Sequence, residues 1–497
     1  MVTRRQVIIS PFVLMVMGLS IPTAVYATNK ELVRIGLSLA PTSLDPTSTA
    51  EIVVAEVFHY NVMEGLVQLD ENGEVRPCLA ERWDISDDGK TYVFHLKRDI
   101  IFHNGKPLNA SVVQYSLERA VELKEQSKLY KSLFSNIKKI SVIDNDTVSI
   151  QLKRPDPLTL FRLAESPAVI VHPESTDQLA THPIGTGPFK FAEYQGAEKI
   201  TLKKAADFRA EDSVHIESIE YHFIPNPEEQ VRAIRSNKID LLFHMTALNT
   251  KEFEENSQYE VLRGNSTSKV LLAINNKKEP LNNLKVRQAL SHAIDREALI
   301  RGAFLGYGRA IGSHYAVSEP DYIDLTNVYP FDIEKAKRLL AEANVELPLE
   351  LNLSLPPTPY ALAGGPIIAQ ALKEIGININ IITPSWGEWL STVFKGDFDL
   401  SLILHAEPLD YYVYTDPSYY FGYSNPEYNQ LVEEHSQSSN PRVQRQLIQK
   451  IQRKLADDAV NVWLFTPEIA TVVRHGLKGV WTHYPTFSHS VRQMYWK

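Results

Sequence analysis

The sequence predicts an α/β protein, because segments with the spacing of strands alternate with segments with the spacing of helices. Residues 91–96 alternate between apolar and polar side chains, as a half-buried strand does, and a turn at 87–89 precedes them. The chain shows no repeat of 20–50 residues and no low-complexity tract. This alternation favours helices layered on largely parallel sheets.

Further elements follow from apolar spacing and from capping residues. A helix should begin after Asn109, whose side chain can cap it, and should reach about Val121. Helical spacing recurs at residues 286–300, 332–343, 366–375, 386–394 and 441–459, and strand-like runs occupy residues 377–382, 398–404 and 461–465.

The first 27 residues have the pattern of an export signal. Arg4 and Arg5 precede an apolar run at 7–18, and the small-residue pattern of a cleavage site occupies 24–27. The apolar run is short for a membrane span, so an uncleaved anchor helix is the weaker alternative. The paired arginines leave the twin-arginine and general export routes open. We therefore expect a periplasmic protein.

The charge of the chain excludes some partners. The formal net charge is −9, and removal of a signal with two arginines and no acid would change it to −11. An acidic surface argues against binding to nucleic acid or to anionic lipid. The single cysteine, Cys78, cannot form an intramolecular disulfide and lies too far into the chain to carry an N-terminal lipid. Stability must then come from buried apolar surface.

Motifs of catalysis and cofactor binding are absent from the sequence. It contains no phosphate-binding loop, no zinc-protease motif and no nucleophile elbow, and the glycines at 306–312 have the wrong spacing for a dinucleotide loop. The 15 histidines show no ligand spacing, so no cofactor and no metal site are expected. Glu407 and Asp410 could form the acid/base pair of a hydrolase, an alternative that rests on proximity in the sequence alone.

Several longer motifs occur in a fixed order. Residues 44–119 contain NVMEGLVQLDENGEVRPCLAERWDISDDGKTYVFHLKRDIIFHNGKPLNASVVQYSLER, preceded by SLDP at 43–46. HPIGTGPFKF follows at 182–191, VRQALSHAIDRE at 286–297 and FDIEKAKRLL at 331–340. In content and order these motifs resemble those of extracytoplasmic solute-binding proteins of family 5, which serve peptide and nickel ABC importers.

This resemblance implies a fold like that of type II periplasmic binding proteins, with two α/β lobes, a hinge and an extra domain. The first lobe would combine residues 28–51, 185–275 and 472–497. The extra domain would be 52–184, and the second lobe 276–471. A monomer would bind its ligand between the lobes and present it to the permease and ATPase of an ABC importer.

The resemblance also implies where a peptide would bind. Glu407, in the sequence LHAE, stands where peptide-binding relatives place an aspartate for the ligand's ammonium group, and Asp410 and Tyr411 replace the following D-P. Thr358 stands where dipeptide binders carry an arginine for the ligand's carboxylate. Because that arginine is missing, strict dipeptide specificity is not expected.

Other candidate contacts are Pro41, Thr42 and Ser43, which match a segment that pairs with the peptide backbone, and Trp386 and Gly387, which match a segment beside the pocket.

The ligand itself remains open at this stage. His405 raises the alternative of a nickel chelate, but His405 and Leu409 replace the tryptophan and tyrosine of the relatives that bind one. The tyrosine-rich stretch 411–423 could either line the pocket or pack between the lobes. We expect an oligopeptide-like ligand, with a nickel chelate, heme, a glutathione-like compound or a saccharide as alternatives.

Overall fold

The fold is described from a computed structural model that covers residues 31–49, 51–123, 133–209, 213–245 and 247–497. The expected export signal, residues 1–27, lies outside these ranges. The strands in chain order are β1 Leu32–Leu37, β2 Val67–Leu69, β3 Val75–Pro77, β4 Ala80–Ile85, β5 Thr91–Leu96, β6 Ile137–Asp144, β7 Thr147–Leu152, β8 Phe189–Tyr194, β9 Lys199–Lys204, β10 Ser218–Phe223, β11 Leu241–Met245, β12 Tyr259–Asn265, β13 Lys269–Ile274, β14 Gly308–Ala310, β15 Leu349–Ser354, β16 Ile377–Ile382, β17 Leu400–His405, β18 Val462–Arg474, β19 Leu477–Lys478 and β20 Tyr495–Trp496.

The α-helices in the same ranges are α1 Ile52–Phe58, α2 Ala110–Leu123, α3 Thr159–Leu163, α4 Pro227–Arg235, α5 Ala247–Glu254, α6 Leu284–Ala293, α7 Arg296–Phe304, α8 Ile333–Glu342, α9 Pro359–Lys373, α10 Trp386–Ser391, α11 Pro426–Gln437 and α12 Pro441–Asp457. Short 3-10 turns complete the chain, among them Asp410–Thr415.

One long strand joins two halves of a large sheet. Within the described ranges the sheet has the order β16-β15-β17-β13-β18-β11-β1-β10-β9-β8, and β12 and β14 also pair with β18. The N-terminal part of β18 pairs with β13 and β14, whereas its C-terminal part pairs with β11 and β12. We call the sheet around β13–β17 the second half and the sheet around β1 and β8–β12 the first half. The chain passes from one half to the other at Pro467–Glu468 of β18.

The sheets are mixed, so the expectation of largely parallel sheets is wrong. Only β1 with β10 and β11, and β15 with β16 and β17, pair in parallel among the described strands. The sequence pattern failed to show that consecutive strands such as β8 and β9 return directly as hairpins, without a crossover helix. The α/β class itself is confirmed.

A separate antiparallel sheet with the order β4-β5-β7-β6 lies within residues 52–184. Its buried side chains, together with those of α2, form a hydrophobic core that extends from Leu66 to Ile170, and we call this part the antiparallel domain. The buried residues of α1 pack instead with β1 and β10 of the first half.

The proposed division into two lobes and an extra domain stays a prediction. Strand pairing nevertheless places β13 beside β17, in the second half, although residues up to 275 were assigned to the first lobe. Besides β18, the halves are therefore connected by residues 266–268, between β12 and β13, which we call the connecting segment.

Most elements lie close to the expected positions. The strands at 91–96 and 377–382 are confirmed, and Oδ1 of Asn109 accepts a hydrogen bond from the amide of Val112 at 3.0 Å, as a cap does. The expectation of one helix over 286–300 is wrong, because this stretch forms two helices, α6 and α7. Asp295 begins the second by accepting a hydrogen bond from the amide of Ala298 at 3.0 Å.

The glycines of the GTGP motif allow two backbones to approach closely. A Cβ atom at Gly185 would lie 1.9 Å from the carbonyl oxygen of Val62, and one at Gly187 would lie 2.7 Å from that of Asn61. The amide of Gly187 donates to the carbonyl of Val62 at 3.0 Å. Neither glycine has a positive φ, so the two glycines serve the close contact between backbones.

In the part of the chain that the structure describes, none of the helices combines the length and the apolar character needed to span a bilayer.

Candidate functional site

A cavity of about 620 Å³ lies where the two halves of the main sheet meet the antiparallel domain. The connecting segment 266–268, the crossing of β18 at Pro467 and Ile469, and the loop after β17 all contribute to its wall. The antiparallel domain contributes Phe161, Arg162 and Glu165. Such a volume and a largely apolar wall with a few polar groups are typical of sites for small ligands.

Glu407 is the one residue among the predicted ligand contacts that lines this cavity. It follows β17, and its exposed side chain stands on a loop that neighbouring groups hold by the backbone. Nζ of Lys269 donates to the carbonyl of Glu407 at 2.6 Å, and Oγ1 of Thr267 donates to that of Ala406 at 3.0 Å. The loop is therefore fixed while the carboxylate of Glu407 stays available to a ligand.

Asp410, predicted as a ligand contact, is buried beneath the cavity. Its Oδ1 lies 3.0 Å from Nζ of Lys269 and 2.8 Å from Nε2 of His314. Burial opposes the charged form, yet His314 and Lys269 hold the pKa of Asp410 well below its usual range. A carboxylate that is paired and ionised in this way cannot serve as the acid of a hydrolase.

His405 and Tyr411 are also buried and lie outside the cavity wall. Nε2 of His405 is 2.8 Å from the hydroxyl of Tyr420, and the hydroxyl of Tyr411 is 3.1 Å from Nδ1 of His435. The sequence pattern offered no sign of these long-range partners.

The aromatic stretch after residue 411 forms part of the hydrophobic core of the second half. Tyr414, for example, stacks on Phe421 with ring centroids 5.2 Å apart. Tyr412 is the exception, since it is 47% exposed and lines the cavity. Most of these aromatic residues therefore neither line the cavity nor pack between the lobes, because they pack within one half of the sheet.

The segment 41–43 lies outside the cavity wall as well. The hydroxyl of Tyr194 donates to the carbonyl of Pro41 at 2.7 Å, and the side chain of Glu51 accepts hydrogen bonds from the amide and the hydroxyl of Thr42. Ser43 is partly buried and its hydroxyl faces the amide of Asp45 at 3.4 Å. Their roles in binding stay predictions.

Thr358, Trp386 and Gly387 are found on the second half, apart from the cavity wall. Thr358 precedes α9, and two residues later the hydroxyl of Tyr360 accepts a hydrogen bond from the amide of Leu404, a cavity residue, at 2.9 Å. Trp386 is 46% exposed and stacks on Trp389 at 5.3 Å, while a Cβ at Gly387 would meet open space. A ligand contact by these residues stays a prediction.

The cavity contains ionisable residues that the sequence patterns did not indicate. Arg162 of α3 and Glu165 come from the antiparallel domain, Glu56 from α1 and His244 from β11. None of them lies in a motif that was associated with ligand binding, because the chain brings them together from distant segments. Arg162 forms an ion pair with Asp156.

Two of the titratable groups show the electrostatics of the cavity. Burial raises the pKa of Glu165 to about 7, while a hydrogen bond from the hydroxyl of Thr486, at 3.4 Å, favours its charged form. Burial also raises the pKa of Tyr412, on which Arg162 and Glu407 act in opposite directions. A cation and an anion therefore lie within electrostatic reach of one cavity tyrosine.

Comparisons with known proteins agree with this architecture. The chain is 28% identical over 359 residues to the dipeptide-binding protein of Escherichia coli K12, an alignment that covers 65% of this chain and 66% of that one. It is 29% identical over 309 residues to the glutathione-binding protein GsiB of Salmonella choleraesuis, covering 61% of this chain and 59% of the relative. Both alignments thus span less than two thirds of the relatives' own length.

Among solved structures, HbpA2 from Haemophilus parasuis superposes with a TM-score of 0.87 at 22% identity, covering 94% of this chain and all of that one. The profile of the bacterial extracellular solute-binding proteins, family 5 (middle region), matches residues 74–430. This match extends over more than half of the chain, through the antiparallel domain and most of the second half of the sheet. The chain therefore belongs to the bacterial extracellular solute-binding proteins of family 5.

Proposed function

We propose that this protein captures an oligopeptide-like solute in the cavity and delivers it, in the periplasm, to the permease and ATPase of an ABC importer. The observation that carries the proposal is that one acidic and one basic side chain line the same, mainly apolar cavity. The carboxylate of Glu407 and the guanidinium of Arg162 both line it. A peptide with free ends offers the complementary ammonium and carboxylate groups.

Glu407 would receive the ammonium group of the peptide. Its carboxylate is exposed to the cavity, and the hydrogen bond from Lys269 to its carbonyl keeps its backbone in place. A charge-assisted hydrogen bond in such a site is worth about 1.5–3 kcal/mol.

Arg162 would bind the carboxylate of the peptide, the function of the arginine that Thr358 replaces. Its guanidinium is held by Asp156 yet also lines the cavity, and five donors allow it to serve both groups. Because Arg162 comes from the antiparallel domain and Glu407 from the second half, a peptide between them would bridge two parts of the chain. The apolar wall around them, with Phe161, Ile469 and Phe487, would accept variable side chains.

The proposal describes binding and not catalysis. The hydrolase alternative requires Glu407 and Asp410 to act together, but Asp410 is committed to its ion pair with Lys269. We expect no turnover of peptide or glycoside panels under conditions in which tryptophan fluorescence reports binding.

The first experiment is native mass spectrometry of the purified protein, which identifies a ligand that co-purifies. A ladder of peptides supports the proposal. A discrete metal complex, a heme or a glycan would replace it with one of the other solute classes.

The second experiment is calorimetry with one peptide in three forms: free, N-acetylated and C-amidated. Glu407→Gln should weaken the binding of the free peptide by about 10- to 100-fold and change the binding of the acetylated form little. Arg162→Gln should weaken the binding of the free peptide by a similar factor and change the binding of the C-amidated form little. Glu433→Gln and Arg442→Gln, at exposed positions of the second half, are the matched controls. Equal losses for all three forms would remove both residues from these roles.

A further inference from the structure

Two histidines and a glutamate meet at the wall of the cavity on the side of the first half. Glu56 comes from α1, His244 from β11 and His489 from the C-terminal segment. One potential ligand atom from each lies within 4.8 Å of the others, and Nε2 of His244 is 3.4 Å from Oε1 of Glu56. Glu56 and His244 line the cavity directly.

The imidazole ring of His489 is buried. It is 1% exposed, and neither of its ring nitrogens has a hydrogen-bonding partner among the described residues. One face of the ring stacks on Phe243, with centroids 3.9 Å apart. A buried ring nitrogen without a partner carries an uncompensated desolvation penalty, so the arrangement indicates that a further group completes it.

The backbone around the cluster is shaped to bring these side chains together. His244 has a φ of 54° and lies where the pairing of β11 with β18 shifts register between Leu242 and Met245. A non-glycine residue in this conformation is uncommon, and bulges of this kind redirect side chains beside functional sites. Asn61 fixes the other side, because its side chain donates to the carbonyl of His489 at 2.8 Å and accepts from the amide of Val491 at 3.0 Å.

A second cluster of similar composition shows what a completed arrangement looks like. His314, His405 and Asp410 also place three potential ligand atoms together. There, however, Lys269 supplies the cation at 3.0 Å from Asp410, and tyrosine hydroxyls lie within hydrogen-bonding distance of both histidines. That cluster therefore has no need of an ion, whereas among the residues that the structure describes no lysine or arginine pairs with Glu56.

We propose that Glu56, His244 and His489 bind one divalent transition-metal ion, with remaining coordination positions that face the cavity. Imidazole nitrogens with a carboxylate suit Zn²⁺, Ni²⁺ and Cu²⁺. Two ligands at 2.0–2.1 Å from a tetrahedral ion are about 3.4 Å apart, which agrees with the 3.4 Å between Nε2 of His244 and Oε1 of Glu56. This site goes beyond peptide capture and departs from the expectation of no metal.

The test is Zn²⁺ binding by the mature chain, prepared without a histidine tag and stripped with a chelator. Calorimetry and elemental analysis should give one ion per chain, and Co²⁺ substitution should give ligand-field absorption bands. His244→Ala and Glu56→Gln should each weaken Zn²⁺ by at least about tenfold and abolish the bands. His475→Ala, which removes an exposed histidine, should leave both unchanged.

The variants are chosen so that a folding defect cannot imitate the result. The side chain of His244 is 42% exposed, so its loss should leave the melting temperature nearly unchanged. His489→Gln, which removes the third proposed ligand, should then weaken Zn²⁺ binding as well. Failure of the folded wild type to bind Zn²⁺, or equal affinity in the wild type, His244→Ala and Glu56→Gln, would overturn the proposal. Glu407→Gln should retain Zn²⁺, so failure of peptide capture and failure of the metal site are separate outcomes.

Discussion

Nζ of Lys269 lies 3.0 Å from Oδ1 of Asp410, and the two side chains are 0% and 5% exposed. Lys269 also donates to the carbonyl of Glu407 and lies 3.5 Å from Oε1 of Glu319. Although burial opposes the charge of Lys269, Asp410 and Glu319 raise its pKa. One buried cation thus pairs with two carboxylates and fastens the loop that carries Glu407 to β13.

Lys269→Met should destabilise the protein strongly. The substitution leaves Asp410 and Glu319 buried without their cation, and removal of one partner of a buried ion pair typically costs about 3–5 kcal/mol. The free energy of unfolding from urea titrations, followed by tryptophan fluorescence, measures the loss. The same variant should also bind the peptide more weakly, because the loop of Glu407 loses its anchor.

Lys285→Met is the control for this prediction. Lys285 pairs with Glu342 at 3.0 Å as well, but the two side chains are 47% and 56% exposed. An exposed pair contributes about 0–1 kcal/mol, so this variant should remain close to wild type. A similar small loss in both variants would mean that Lys269 is hydrated and that the loop is held in another way.

The fold was predictable from the sequence where local signals and tertiary structure agree. The helix expected at 332–343 is α8, and Asp332 caps it by accepting a hydrogen bond from the amide of Lys335 at 2.8 Å. The break at Asp295 was missed because apolar residues keep helical spacing across it. The full length of β18 was missed too, because its two ends pair with different halves of the sheet and only the pairing shows that they form one strand.

The site was less predictable than the fold. Glu407 was predicted because it stands where peptide-binding relatives place an aspartate, and it lies two residues after the end of β17, at the cavity. Lys269 could not, because a lysine in a strand is normally exposed and its partners lie 138 and 141 residues away. The burial of Asp410 and His405 was not predicted either, because their partners Lys269 and Tyr420 lie 141 and 15 residues away in the sequence.

Glu165 should make stability depend on pH between about 4.5 and 7. Its pKa rises from an ordinary 4.5 to about 7 in the folded protein, so the folded state holds a proton that the unfolded state has lost within this range. Its contribution is complete below pH 4.5 and is lost as the pH rises toward 7. The cost of ionising it at pH 8 is at most about 3 kcal/mol, reduced by the residual exposure of the side chain.

Glu165→Gln measures this contribution, since it keeps the shape of the side chain and removes the titration. Unfolding free energies of the variant and the wild type should converge near pH 4.5, and the variant should gain stability over the wild type up to pH 8. Glu433→Gln, at an exposed position, should run parallel to the wild type. Parallel curves for Glu165→Gln would show that Glu165 titrates near its ordinary pKa.

Gly187→Ala should destabilise the protein through backbone contact alone. The added Cβ would lie 2.7 Å from the carbonyl oxygen of Asn61 and 2.9 Å from the carbonyl carbon of Val62, and neither atom belongs to a side chain that could move aside. Overpacking of this kind costs about 1–3 kcal/mol. Thermal unfolding of the purified variant measures the effect.

Gly387→Ala is the matched control and also tests a predicted ligand contact. At this helical position of α10 an added Cβ meets nothing within 4 Å, so stability should rise by about 0.4–1 kcal/mol. If the bound peptide approaches the backbone of Gly387, this more stable variant should nevertheless bind it more weakly. Unchanged affinity would exclude that contact, and a loss of stability as large as that of Gly187→Ala would contradict the different surroundings found for the two glycines.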